Sequence, residues 1–150
     1  MIPLGTVLLL AVVAGGSAGC AAQQADAPAA ASPSGRAALL GTTWAAIEID
    51  GRAVDASETQ RQRNIVLSGD NNRVSGSTGC NRVSGTFTQQ GNGLRFGMLA
   101  MTGVACVPDR SATENAFVAA MEATASQAIE NDILELRDAN GTVRMRLRAS

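Results

Sequence analysis

No histidine, tyrosine or lysine occurs among these 150 residues. The missing histidine removes the usual general base near neutral pH, the Ser–His and Cys–His nucleophile pairs, and the commonest zinc ligand. Aromatic side chains are nearly as scarce: Trp44, Phe87, Phe96 and Phe117 are the whole set, 3 % of the chain. An excess of charge of one sign is also lacking. Twelve arginines stand against 13 acidic residues, for a formal charge of −1, a balance that predicts no nucleic-acid partner. The hydrophobic fraction of 45 % leans heavily on alanine, whose burial contributes far less than that of leucine or phenylalanine at about 25 cal/mol per Å². The core must come from scattered Val, Ile, Leu and Met plus four rings. It is thin, and a covalent tie would add usefully to it.

No apolar run is long enough to span a bilayer. Ile2 to Ala14 is uncharged and apolar, too short for a helix across ~30 Å of hydrocarbon but suited to the hydrophobic part of a secretory signal. Ser17-Ala18-Gly19 then leads into Cys20, which resembles a bacterial lipobox, where cleavage precedes a cysteine that becomes acylated. An ordinary cleaved signal with an incidental cysteine is the plainer alternative. The stretch after Cys20, AAQQADAPAAASPSG, has almost no large apolar side chain and reads as a flexible tether, with an r.m.s. reach of roughly 20–25 Å. The expected organisation is a lipoprotein signal over 1–19, a lipidated Cys20 and linker over 20–37, and one folded domain over 38–150.

Within that domain, two-residue alternation dominates. Strands are expected at Ala45–Asp50, where Ile47 and Ile49 alternate with Glu48 and Asp50, at Ile65–Leu67, Arg73–Ser75, Val83–Gln89 and Leu94–Phe96, and less regularly toward Thr102. Ile133–Arg137 and Val143–Arg148 flank Asp138-Ala139-Asn140-Gly141 and read as a hairpin. Arg144, Arg146 and Arg148 would form its solvated face. One segment departs from this period: Ser111–Ser126 carries Phe117, Ala120, Met121, Thr124 and Ala125 on one helical stripe, and Ser111 with Glu114 has capping-box spacing. One helix among many short antiparallel strands makes an α+β domain, predominantly β.

Asn72-Arg73-Val74-Ser75-Gly76 recurs as Asn81-Arg82-Val83-Ser84-Gly85, with Ser77-Thr78-Gly79-Cys80 between the copies. The repeat is too short for a solenoid. Neither the Walker ending nor a GxSxG elbow is present, so the glycines read as tight turns needing positive φ around a cysteine.

The string GSTGCNRVSGTF, then LAMTGVAC, then the Glu114/Phe117 helix, resembles the META domain of HslJ-type proteins. The matching residues are Gly76, Ser77, Gly79, Cys80, Asn81, Arg82, Ser84 and Gly85, then Leu99, Ala100, Met101, Thr102 and Cys106, with Leu40, Gly41, Thr42 and Trp44 at the domain's opening. The resemblance spans about residues 38–148. It implies a curved antiparallel sheet of about seven or eight strands, partly barrel-like, packed on one helix. It also implies a small envelope lipoprotein linked to heat-shock response and novobiocin resistance, with no catalytic residue to carry over.

If Cys20 is taken by lipid, Cys80 and Cys106 remain, and an oxidising compartment favours their pairing as a disulfide. Buried free thiols and a reactive redox pair are the alternatives. The resulting expectation is a monomeric, non-enzymatic envelope protein, facing the periplasm from the outer membrane in a Gram-negative host. It would need no metal or cofactor and would bind an unknown envelope protein or small ligand. An inhibitor or carrier using a barrel-like cavity or the Gly76–Asn81 loop is a second reading. An enzyme using Asp70 or Glu114 as acid and base is a third.

Overall fold

The computed structural model of the chain describes residues 36–54 and 62–150. Cys20, the signal over 1–19 and nearly all of the linker lie outside the described residues. No helix among the described residues is long and apolar enough to cross a membrane.

The strands are β1 (Thr43–Ile49), β2 (Arg52–Ala53), β3 (Asn64–Ser68), β4 (Arg73–Ser77), β5 (Arg82–Gln90), β6 (Gly93–Phe96) and β7 (Ala100–Met101). After the helix α1 (Pro108–Ala123) follow β8 (Ser126–Glu130), β9 (Ile133–Arg137) and β10 (Val143–Ala149). All ten join one sheet in the order β10-β9-β8-β6-β5-β4-β3-β1-β2, with β7 on β5. Its pairings are antiparallel, and β10 also pairs with β1, turning the sheet into a ring. The ring is thinnest between β6 and β8, which share the single pair Gly93–Ser126. Sequence alternation found the long strands. It missed β2, which is two residues long, and β8, of which the helical stripe had claimed Ser126 and left the rest unassigned.

Core and surface follow the pleat in most strands. Ile65 and Leu67, Val74, Val83 and Phe87, Leu94, Leu134 and Leu136, Met145 and Leu147 all point inward and are buried. Trp44 is fully buried among them, and its indole Nε1 donates to Leu39 O at 3.0 Å. A buried indole without that partner would lose a hydrogen bond it makes in water. In β1 the alternation breaks. The register with β10 shifts between Ala46 and Glu48, so Trp44, Ala46 and Ile49 are core residues. Ile47 instead lines an outer hollow with Ile133, Glu135 and Arg146. The expected pairing of Ile47 with Ile49 on one face is therefore corrected by a β-bulge, which flips the downstream side chains.

The doubled pentapeptide pairs with itself. Across β4 and β5, Val74 faces Gly85, Ser75 faces Ser84 and Gly76 faces Val83. Each valine is thus set opposite the other copy's glycine. The turn reading of these two glycines is corrected here, because both lie within strands and, of the motif's three glycines, only Gly79, at φ 90°, takes the left-handed region. They are needed for close approach. A Cβ on Gly76 would stand 2.0 Å from Asn64 O, and one on Gly85 2.7 Å from Met98 O. Gly76→Ala must push backbone apart and is expected to cost about 1–3 kcal/mol. Gly103→Ala, with nothing within 4 Å, should stay within about 0.5 kcal/mol of wild type. Urea denaturation of both variants checks the contrast.

The arginine face of the C-terminal hairpin is ion-paired, not simply solvated. Register sets Arg146 opposite Glu48 on one side and opposite Glu135 on the other, and its guanidinium reaches them at 2.6 and 3.0 Å. Arg144 meets Asp50 at 2.6 Å, and Arg148 meets Asp132 at 3.6 Å. Arg137 and then Arg146 hydrogen-bond Glu135 and hold its carboxyl below the usual glutamate range, against the opposing effect of burial. A carboxyl lowered by folding adds stability that is complete above its unfolded pKa and is lost as pH falls through the folded value. Glu135→Gln should therefore flatten the acid limb of a stability–pH curve below the ordinary glutamate range. It should leave the slope at neutral pH unchanged.

Helix α1 starts earlier and ends earlier than its sequence stripe suggested, with Pro108 in the first turn and Val107 as its N-cap. The capping-box reading of Ser111 and Glu114 is overturned. Val107 offers no side-chain cap, and the Ser111 hydroxyl donates to Cys106 O at 3.4 Å. Proline at the helix start supplies fixed φ without an amide needing a partner. The buried face is Glu114, Phe117, Ala120 and Met121. Thr124 ends the helix, its hydroxyl donating back to Ala120 O at 2.8 Å.

Candidate functional site: a buried clamp beneath an exposed loop

The charged member of that buried face marks the centre of the motif. Glu114 is 8 % exposed and comes up under the β4–β5 connection, residues 78–81, where Thr78 and Asn81 are also buried. Gly79 turns the chain there, its amide donating to Ser77 Oγ at 3.1 Å. Thr78 N donates to Asn81 O at 2.8 Å, and Asn81 N donates to Thr78 Oγ1 at 2.9 Å. The Thr78 hydroxyl donates to Glu114 Oε2.

The Asn81 side chain is the hub. Its Nδ2 donates to both Glu114 oxygens, at 3.1 and 3.0 Å, and to Val104 O at 3.1 Å. Its Oδ1 accepts from Thr102 Oγ1 at 2.7 Å and from Val104 N at 2.8 Å. Two donors and two acceptors are the whole inventory of a primary amide. Thr102 completes the set, accepting from Arg82 N at 3.1 Å through its hydroxyl, while its own amide donates to Arg82 O at 3.1 Å. An asparagine, a glutamate and two threonines thus tie three parts of the chain together: the β4–β5 connection, the run 102–104 and the helix.

A covalent bond parallels this network. Cys80 and Cys106 form a disulfide with Cα atoms 6.2 Å apart. The bridge joins the same connection to the residues that enter α1. Cys80, Cys106 and Glu114 bring possible ligand atoms within 4.8 Å of one another, a spacing that could hold a metal ion. The donor set does not suit one. The two sulfurs are bonded to each other, and thiolates are what ligate metals, while both carboxylate oxygens already accept hydrogen bonds. The side chains of Thr78, Asn81 and Glu114 are buried and turned onto one another, and Thr102, exposed beside them, donates to Asn81.

The remaining motif residues lie around this clamp. Gly76 and Gly85 admit neighbouring backbone, as above. Ser84 faces Ser75 on the outer side of the sheet. Arg82 is exposed and lines two open hollows, of about 740 and 420 Å³, with Ser77 also common to both. Asp70, weighed as a catalytic acid, is an exposed residue before β4 and takes no part in the cluster.

Sequence reasoning missed what the clamp holds. The loop over 97–107 is anchored at Leu99, half-buried against the core, and at Cys106. Between and beside these anchors it presents Met98 at 92 % exposure, Val104 at 61 %, Val107 at 59 % and Met101 at 44 %. An apolar stretch without strand alternation was the available signal; it was read as an irregular strand, which β7 (Ala100–Met101) bears out for two residues, while the exposure of its neighbours went unread.

The comparisons with known proteins bear on this architecture. No curated protein matches the chain. An NMR structure of a protein from Burkholderia xenovorans matches with a TM-score of 0.61 at 25 % identity, over 75 % of this chain and 83 % of that one. A second NMR structure matches with a TM-score of 0.55 at 22 % identity, over 73 % of this chain and 87 % of that one. This second likeness concerns the fold alone. The META domain model matches residues 37–150, the described body with its clamp and both of its bridging cysteines. The chain belongs to the META domain family.

Proposed function

We infer that this chain is a non-enzymatic, lipid-anchored envelope protein whose META domain acts by binding. The observation that carries the non-catalytic part is the Asn81 hub. Its donors and acceptors are all used within the chain, so Asn81 and the Glu114 carboxylate it holds have nothing left for a substrate. The interior of the ring is filled by Trp44, Phe117, Met121 and the leucines. A small-molecule carrier would therefore need the outer hollows in place of a central cavity. Lipid anchoring is supported by the apolar run before Cys20 and by the tether after it. The HslJ-type resemblance supports a role in tolerance of heat and novobiocin-type antibiotics.

Mass spectrometry of the mature protein from a membrane fraction tests the anchor. The reading expects an acylated Cys20 as the first residue and release of the Cys20→Ser protein to the soluble fraction. An unmodified N-terminus contradicts it. A deletion strain with unchanged heat and antibiotic sensitivity contradicts the stress role.

A further inference from the structure

From Asn71 to Val107 the chain contains no carboxylate at all, yet it carries Arg73, Arg82 and Arg95. This acid-free stretch includes β4, β5, β6, β7 and the exposed loop. The balanced charge of the whole chain conceals it. The arginines of β9 and β10 are paired with nearby acids, whereas Arg82 has no ion pair among the described residues. Arg82 also stands beside the apolar loop, sharing one hollow with Met101 and the other with Val104 and Val107. Clustered apolar side chains facing water mark an interaction surface, and the arginine beside them gives that surface a positive charge. A bilayer interface accepts both, the apolar groups among the acyl carbons near the headgroups and the guanidinium on phosphate.

We propose that the 97–107 loop together with Arg82 is a docking surface for an anionic phospholipid bilayer. The proposal rests on the anchored reading above and deepens it. A lipid tether raises the effective concentration of a nearby membrane to the millimolar range, so a few side chains are enough to set the body's orientation. Trp44, Phe87 and Phe117 are buried and Phe96 is partly buried against the core, so no fully exposed ring favours a stacked ligand on this face. The clamp has a purpose in this picture: Asn81 and the disulfide hold the loop out against the collapse that its apolar side chains would otherwise favour.

Vesicle co-sedimentation of residues 32–150, which contain the complete ring and core, tests this without the anchor. The probe is phosphatidylcholine vesicles with and without phosphatidylglycerol, at low and high salt. Binding is expected to the phosphatidylglycerol vesicles, weakening as salt rises. Arg82→Gln should reduce it about fivefold, and the double change Met98→Ser, Val104→Ser at least about tenfold. Arg148→Gln, on the ion-paired face, should leave it unchanged. Circular dichroism melts confirm that each variant is folded. No binding to either vesicle overturns the proposal, as does binding that the Arg82 and loop variants leave intact. Retention by dextran sulfate without vesicle binding also overturns it, in favour of a polymeric anion. If Cys20 proves acylated and vesicles still fail, the docking surface alone is refuted and the anchored reading stands.

Discussion

Asn81→Ala is expected to destabilise the domain by about 3–4 kcal/mol, the largest effect of any single polar substitution in the chain. The alanine removes the side-chain partners of Glu114, Thr102 and Val104 together. Each buried group left unpaired costs about 1–3 kcal/mol, and a charged one more. At about 4 °C per kcal/mol for a domain of this size, the melting temperature should fall by about 12–16 °C. Asn81→Asp keeps the shape and separates packing from hydrogen bonding. It would set a second carboxylate about 3 Å from Glu114 and present no donor to Val104 O, so it should be at least as damaging as the alanine. A small loss with Asn81→Asp would mean that the network contributes little beyond filling space.

Removal of the disulfide is the second large effect. Cys80 and Cys106 are 26 residues apart, and on the chain-entropy estimate closing such a loop contributes about 3.5 kcal/mol. The double variant Cys80→Ala, Cys106→Ala and the reduced wild type should both melt about 14 °C below the oxidised protein. Neither cysteine should take up a maleimide until reductant is added. Because the bridge and the Asn81 hub secure the same loop, their effects should couple. Combining the cysteine changes with Asn81→Ala should cost less than the sum of the two, by about 0.5–3 kcal/mol. Strict additivity would show that the two ties act on separate structures.

Much of this fold was legible from residue pattern. The short apolar run Ile65–Leu67 located one strand, and the alternation in Val83–Gln89 and Val143–Arg148 located others because each has one face on the core and one toward water. Phe117, Ala120 and Met121 located the helix for the same reason. Where local pattern failed, a distant contact had decided the outcome. Ile47 left the core because the register with β10 slips by one residue, and β10 is nearly a hundred positions away. The Ser111/Glu114 spacing matched a capping box, yet Glu114 is taken by Thr78 and Asn81 from another part of the chain. The glycines of the doubled pentapeptide were read as turns because spacing cannot show that another strand's backbone needs their missing side chains.

The candidate site was half legible. The family motif named Asn81, Thr102 and both bridging cysteines, and the expectation of an oxidising compartment favoured their bridge. Neither told that Thr78, Asn81 and Glu114 face inward while the neighbouring Met98 and Val104 face out. That division between a closed hub and an open loop is a property of the assembled ring.

Amide hydrogen exchange over residues 97–107, in wild type and in Asn81→Ala, tests the clamp most directly. The Val104 amide donates to Asn81 Oδ1, and the Thr102 amide donates to Arg82 O. In wild type both should be protected despite their exposed side chains. In the variant their protection should fall well below that of β4, β5 and β10, which keep their ladders. Loop amides that exchange equally fast in both proteins would contradict the account, because the hub would then be holding nothing.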